Sequence, residues 1–535
     1  MMPPRARIRN PLAETVTVYL NGAVYTLDPA RPLVEAVACA GGRVVAVGRS
    51  DELQALARAR RDLVDLGGHT VVPGLIDAHL HLLGLGLALG RVDLAGLPSL
   101  AACVDRVTLY HRELPPGQPI IGRGWNQNGW PEGRWPACAD LDAVTGDRLV
   151  AIASKDGHLL WVNTATLRAA GIARDTPDPP GGEIARDAHG EPAGVLKENA
   201  TKAVYDILPP PTPDEAEEAL ARAMAHALAS GLTGVGTFED SAVYRALGRL
   251  RDQGRLSLRV VSHIAYAELD DALAEGRATG RGDEWLRDGS LKLFADGTLG
   301  SQTAAMLEPY EGTNNRGIAT LSGEELRDAA LRAAAGGIAT AIHAIGDGAN
   351  RTALRALAAV PRVAAAPHRV EHAQALNADD LPIFAAHGIV ASMQPIHLVD
   401  DRDTAMRYWG PRRCATAYAW RPLLEGGATL AFGSDAPIET CDPLAGLYAA
   451  VARHGRGDGR DPWYPELALS VEDAVRAYTR GAAATGEETS RGSLVPGALA
   501  DMVALSADIF AGAEALGQAR VICAIVDGKV VAGGL

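Results

Sequence analysis

The 535-residue sequence predicts an α/β fold: a TIM (β/α)8 barrel with a large insert after its first strand and a small sheet assembled from both chain ends. Three observations predict it. Short apolar runs alternate with helical stretches through the middle of the chain, the pattern of parallel βα units. Both ends are strand-rich and carry hairpin pairs. Roughly 150 residues separate the first barrel strand from the second, far more than a barrel loop needs.

At the N-terminal end the strand-like runs VTVYL, AVYTL, EAVACA and RVVAV are separated by Asn21-Gly22 and Gly41-Gly42, both hairpin signals. A helix is expected at about 50–60, then VDL and Gly67-Gly68. The far end matches in character: DMVALS at 501–506, then 520–533 with the turn Asp527-Gly528. Barrel strands are placed near 71–77, 233–238, 258–264, 290–295, 339–343, 368–372, 389–393 and 429–434. Helices fill 214–229, 241–253, 323–335, 349–359 and 377–386. The domain reading is 1–70 and 486–535 as the two terminal parts and 71–485 as the barrel, with the insert at about 84–230.

Bulk properties exclude several classes. A net charge of −14 and the lack of a Lys/Arg-rich run argue against nucleic acid. The six cysteines form no CxxC pair, so reduced thiols are expected. No run approaches the ~18 apolar residues of a membrane span, and the N-terminus lacks an apolar leader core. A cytoplasmic location follows by elimination. The expected partner is a small-molecule substrate, with the oligomeric state left open.

Chemistry gathers at strand ends. The run VVPGLIDAHLH ends in His79 and His81, which at i and i+2 of an extended segment point the same way and can share one metal ion. Later strands offer Lys292 in SLKLFADGT, His343 in AIHAIGD, His372 in RVEHAQ and Asp435 in FGSDAP. All lie toward the C-terminal strand ends, the catalytic side of a TIM barrel. Imidazoles and carboxylates suit Zn²⁺ and related divalent ions. Lysine in an apolar strand is costly unless paired or neutralised. Lys292 has two solutions: reaction with CO₂ to give an anionic carbamate able to bridge two cations, or an ion pair with Asp296 or another carboxylate. Asp435 reads equally as a ligand or as a helix N-cap.

This pattern of HxH, Lys, His, His and Asp on successive strands resembles the amidohydrolase superfamily, as do VVPGLIDAHLH and RGSLVPGALADMVAL. The motifs GWNQNGW, DGHLLWVN, GVLKEN and LKLFADGTLGSQTA resemble its amidohydrolase 3 branch, which includes N-substituted formamide deformylases; the resemblance spans about residues 12–533. It implies a metal-dependent hydrolase of carbon–nitrogen bonds other than peptide bonds, with a TIM barrel and a terminal β-sandwich. By its pattern His79 and His81 bind the more buried metal, His343 and His372 the second, carboxylated Lys292 bridges both, and Asp435 is ligand and general base. The expected cofactors are one or two divalent ions, Zn²⁺ first among them, and CO₂ for the lysine.

The expected reaction uses a metal-activated hydroxide, with Asp435 taking its proton and returning it to the leaving amine. His158 and His397 are candidate donors to the oxyanion. Trp125, Trp130 and Trp161 are read as walls of an apolar pocket, and Asn126, Lys197, Glu198, Asp296 and Gln394 as polar contacts to substrate. The substrate expected is an amide or formamide with an aromatic or aliphatic N-substituent. Hydrolysis or deamination of a cyclic amide, carbamate or ester on the same scaffold is the second reading, and a non-catalytic metal-binding relative the third.

Overall fold

Eight parallel strands follow one another in chain order across a single sheet: β1 (Leu75–Leu80), β2 (Leu232–Thr237), β3 (Arg259–Ala265), β4 (Leu286–Phe294), β5 (Thr340–Ala344), β6 (Arg369–His372), β7 (Val390–Met393) and β8 (Leu430–Phe432). The computed structural model describes residues 15–127, 130–154, 159–486 and 490–535. Just past β8 the backbone returns to β1: Asp435 N donates to His79 O (2.7 Å) and His81 N to Ala436 O (2.8 Å). These bonds join the first and last strands, as a TIM-type barrel requires.

The strands form because their residues are β-branched or apolar and are buried on both faces. Full burial of a side chain such as Ile342 contributes about 1.5–3 kcal/mol. Helices alternate with them. Ser241–Asp252 is capped by Asp240, which accepts from Ala242 N and Val243 N. Gly323–Ala335 begins with a Ser322/Glu325 capping box.

One boundary differs from expectation. The run at 71–77 is two strands: Thr70–Pro73 pairs with the terminal sheet, and β1 starts only at Leu75. The chain crosses between sheets at Gly74, where a Cβ would lie 2.1 Å from Thr233 Oγ1. Apolar composition is the same on both sides of the crossing, so the sequence shows one run.

The six-stranded terminal sheet mixes both chain ends, in the order Lys529–Gly533, Val521–Val526, Met502–Leu505, Thr70–Pro73, Ala23–Tyr25, Leu33–Val34. A four-stranded sheet orders Arg43–Gly48, Ala36–Ala40, Thr17–Leu20 and Leu63–Asp65. Side chains from both sheets, among them Tyr19, Val37, Val71, Met502 and Ile525, share one core. A buried ion pair fastens β3 to this region: Arg259 Nε and Nη2 donate to Asp501 at 2.7 and 3.0 Å.

The second unit, Leu87–Ala219, has its own sheet, ordered Gly182–Arg186, Pro192–Glu198, Leu159–Val162, Val150–Ser154, Ile120–Trp125 and Val92–Asp93. Its core holds Trp125, Trp130 and Trp161 with Val107, Leu141 and Ile152.

Candidate metal centre

The ladder brings the strand ends into line. Phe294 stands opposite His343, His343 opposite Glu371, and Ala344 opposite His372. His372 and Asp435 both take left-handed backbone (φ 69° and 63°), a conformation rare for residues with a Cβ and often found at functional sites. Ligand atoms of His79, His372 and Asp435 lie within 4.8 Å of one another. His81 Nε2 is 3.4 Å from Asp435 Oδ1, and His79 Nε2 is 3.6 Å from it. The rings of His343 and His372 stand edge to face with centroids 4.5 Å apart.

Each histidine is fixed by its far nitrogen. His79 Nδ1 meets Glu371 Oε2 at 2.6 Å, His81 Nδ1 the Phe238 carbonyl at 2.9 Å, and His372 Nδ1 meets Gln394 Oε1 at 2.8 Å. That leaves Nε2 of all three as the lone-pair nitrogen. His343 is turned the other way: Nε2 meets the Gly297 carbonyl at 3.0 Å, freeing Nδ1. Outer partners of this kind set tautomer and ring orientation in metal sites. The donor set therefore fits a divalent ion. Burial holds His79 and His372 well below the ordinary imidazole range and His343 at about 4, so all three stay neutral as ligands must.

Lys292 is buried beside them, its Nζ 3.4 Å from His79 Nε2 and over the Phe238 ring at 4.3 Å. Burial pulls its ammonium down to about 8, against the upward pull of Glu371 and Asp435. The ion pair with Asp296 is not what forms. Asp296 instead accepts backbone N–H groups from Ile345 (3.0 Å), Gly346 (2.8 Å) and Ala305 (2.8 Å), and lies 3.5 Å from His343 Nε2. Burial lifts its carboxyl to about 7 against those bonds.

His397 comes in from the helix His397–Tyr408 after β7, with Nε2 3.4 Å from Asp435 Oδ2. Burial disfavours its charge, but the Asp435 carboxylate outweighs this and raises it to about 9. Burial would raise Asp435, yet His397 and His81 beside it hold it well below the usual carboxylate range.

The structure thus brings together His79, His81, Lys292, His343, His372, His397 and Asp435. Gln394 and Asp296 are buried and spent on holding His372 and the chain around His343, so they position these candidate ligands and are not open substrate contacts. His158 lies outside the described residues. Trp125, Asn126, Trp161 and Glu198 belong to the second unit, where Asn126 and Glu198 are exposed. Trp125 and Trp161 are 0% exposed there, their indole N–H groups donating to Ile152 O (2.8 Å) and Ala137 O (2.9 Å). Both form the core of the insert and have no free face to wall a pocket, which corrects the reading from sequence.

Sequence reasoning missed Glu371, its partner Arg369 at 2.6 Å, and Phe238, whose ring lies 4.1 Å from His79 and stacks on His263. The signal for the first two was present: Arg and Glu at i and i+2 of a buried strand must face each other's side of the sheet and pair.

A barrel of this topology with such a donor set at its C-terminal rim defines a metal-dependent hydrolase, and the chain belongs to the amidohydrolase family, whose model matches residues 62–532. It is 33% identical over 505 residues to the putative amidohydrolase YtcJ of Bacillus subtilis (92% of this chain, 95% of the relative) and 30% identical over 534 residues to N-substituted formamide deformylase of Arthrobacter pascens (95% and 97%). Among solved structures it is similar to an uncharacterized metal-dependent hydrolase from Pyrococcus furiosus, with TM-score 0.78 and 28% identity over 92% of this chain and 100% of the other.

Proposed function

We propose that this hydrolase cleaves the C–N bond of a small amide or formamide, with Asp435 as general base and acid. The observation that carries the reading is the convergence on the Asp435 carboxylate of His81 and of the neutral imidazoles of His79 and His372, each anchored by its far nitrogen. The resemblance to N-substituted formamide deformylase supports the substrate class.

His79, His81, His343 and His372 with Asp435 would hold one or two divalent ions, Zn²⁺ by preference for this nitrogen-rich set. Burial that pulls Lys292 down to about 8 raises the share of free amine open to CO₂, and as a carbamate it would bridge two ions. When bound, the metal supplies Lewis acidity and makes water a nucleophile near neutral pH. Asp435, kept ionised by His397 and His81, accepts the proton of the attacking water and passes it to the departing nitrogen. His397, 3.4 Å from Asp435 Oδ2, steadies that carboxylate and offers an N–H to the developing oxyanion. Gln394 and Glu371 keep His372 and His79 from rotating.

Asp435→Asn tests the role directly. Asparagine keeps the shape and one oxygen but cannot take the proton. Turnover should fall by about two orders of magnitude or more, with most metal retained and KM little changed. Near wild-type turnover of amides or formamides in that variant would exclude the mechanism; mild loss is what a mere helix cap predicts, since Asn caps as well as Asp.

A further inference from the structure

Arg369 on β6 puts a guanidinium inside the barrel, 0% exposed, where a charge is costly unless it is paired. Its Nε is 2.6 Å from Glu371 Oε1, two residues along the same strand. Its Nη2 crosses to β1 and donates to Ala78 O at 3.3 Å. β1 and β6 are not neighbours in the sheet, so this contact runs through the barrel interior. The same Nη2 lies 2.9 Å from His263 Nε2, and the guanidinium carbon is 5.2 Å from the centre of the Phe238 ring. Gly236 leaves room for the crossing: a Cβ there would lie 2.6 Å from Ala78 O and 3.1 Å from His263 Nε2.

Glu371 divides its two oxygens, Oε1 to Arg369 and Oε2 to His79 Nδ1 at 2.6 Å. A carboxylate held at both oxygens cannot turn about its last bond, and the partner it offers His79 fixes which ring nitrogen faces the ion. Neutralising Glu371 would need only a positive charge, which a lysine supplies. The contact with Ala78 O needs more. Only a planar fork can meet a carboxylate on one strand and a carbonyl on another at fixed angles. Resting on the metal centre described above, we propose that Arg369 is a positioning residue for it: braced on Ala78 O, it holds the Glu371 carboxylate against His79 and so sets the affinity for the divalent ion.

Zinc affinity of the folded proteins, measured by competition with a chelator, tests this without relying on turnover. Arg369→Lys keeps the charge but cannot span Glu371 and Ala78 O together, and zinc should bind about ten-fold more weakly. Adding Arg369→Met to Glu371→Gln should cost no more than about three-fold beyond Glu371→Gln alone, because the carboxylate that carries the effect is already gone. That double variant leaves no unpaired charge in the barrel, so it decides the matter should Arg369→Lys fail to fold. Arg277→Met/Asp288→Asn removes another buried pair, joined at 2.8 Å, and should lower stability with zinc affinity unchanged. Wild-type affinity in folded Arg369→Lys, a further ten-fold loss in the double variant, or an equal loss in Arg277→Met/Asp288→Asn each overturns the proposal. A wild type that binds no zinc discards the metal centre itself, whereas tight binding indifferent to Arg369 discards this role alone.

Discussion

The rim of the barrel and the core of the insert read alike in the sequence, as clusters of aromatic and polar residues, and are built on opposite terms. At the rim, charged and polar groups are buried at a cost and held there by one another: Glu371 on His79, Gln394 on His372, three backbone N–H groups on Asp296. The backbone at His372 and Asp435 is left-handed. In the insert, Trp125 and Trp161 are fully buried with their N–H groups on backbone carbonyls and close a conventional apolar core. Buried polarity that converges on one point marks a site, whereas buried aromatics with satisfied donors mark packing.

That contrast can be broken experimentally. Trp125→Ala should cost about 3–5 kcal/mol of stability in the insert, seen as faster proteolysis or hydrogen exchange within 87–219, with metal content per chain unchanged. An unaltered insert with only KM raised would restore Trp125 as a pocket wall. Glu371→Gln should weaken metal binding by about 10–100-fold, because His79 loses the carboxylate that fixes its ring; unchanged affinity would make Glu371 no more than a counter-ion for Arg369. The mildest change is Trp161→Phe. It removes the bond to Ala137 O and should cost about 1 kcal/mol with kcat unaffected. A fall in kcat at unchanged stability would contradict its assignment to the core.

The barrel was legible because its signal repeats. Eight apolar runs, regularly spaced after the first, leave few topologies, and the candidate ligand types fall toward the same end of the five runs that carry them. Boundaries were less so. Thr70–Pro73 and β1 share one apolar composition, and only the close approach of Gly74 to Thr233 separates them. The helix His397–Tyr408 is hard to see in the sequence because HLVDDRDTAMRY is mostly polar and gives a weak apolar stripe. Glu371 was hidden between residues already assigned, and its meaning depends on a histidine 292 positions away. For the insert, tryptophan-rich motifs do not encode whether an indole faces a cavity or a core; tertiary packing decides that.

The central claim is that the aligned strand ends form a divalent-metal centre. Metal content per chain, determined on the wild type and on His372→Ala after equilibration with zinc and removal of excess, tests it most directly. His372→Ala removes a candidate ligand nitrogen from the midst of His79, His343 and Asp435. The account predicts at least one equivalent of metal in the wild type and its loss, together with activity, in the folded variant. Less than one equivalent in the wild type, or the same content in both proteins, would contradict it.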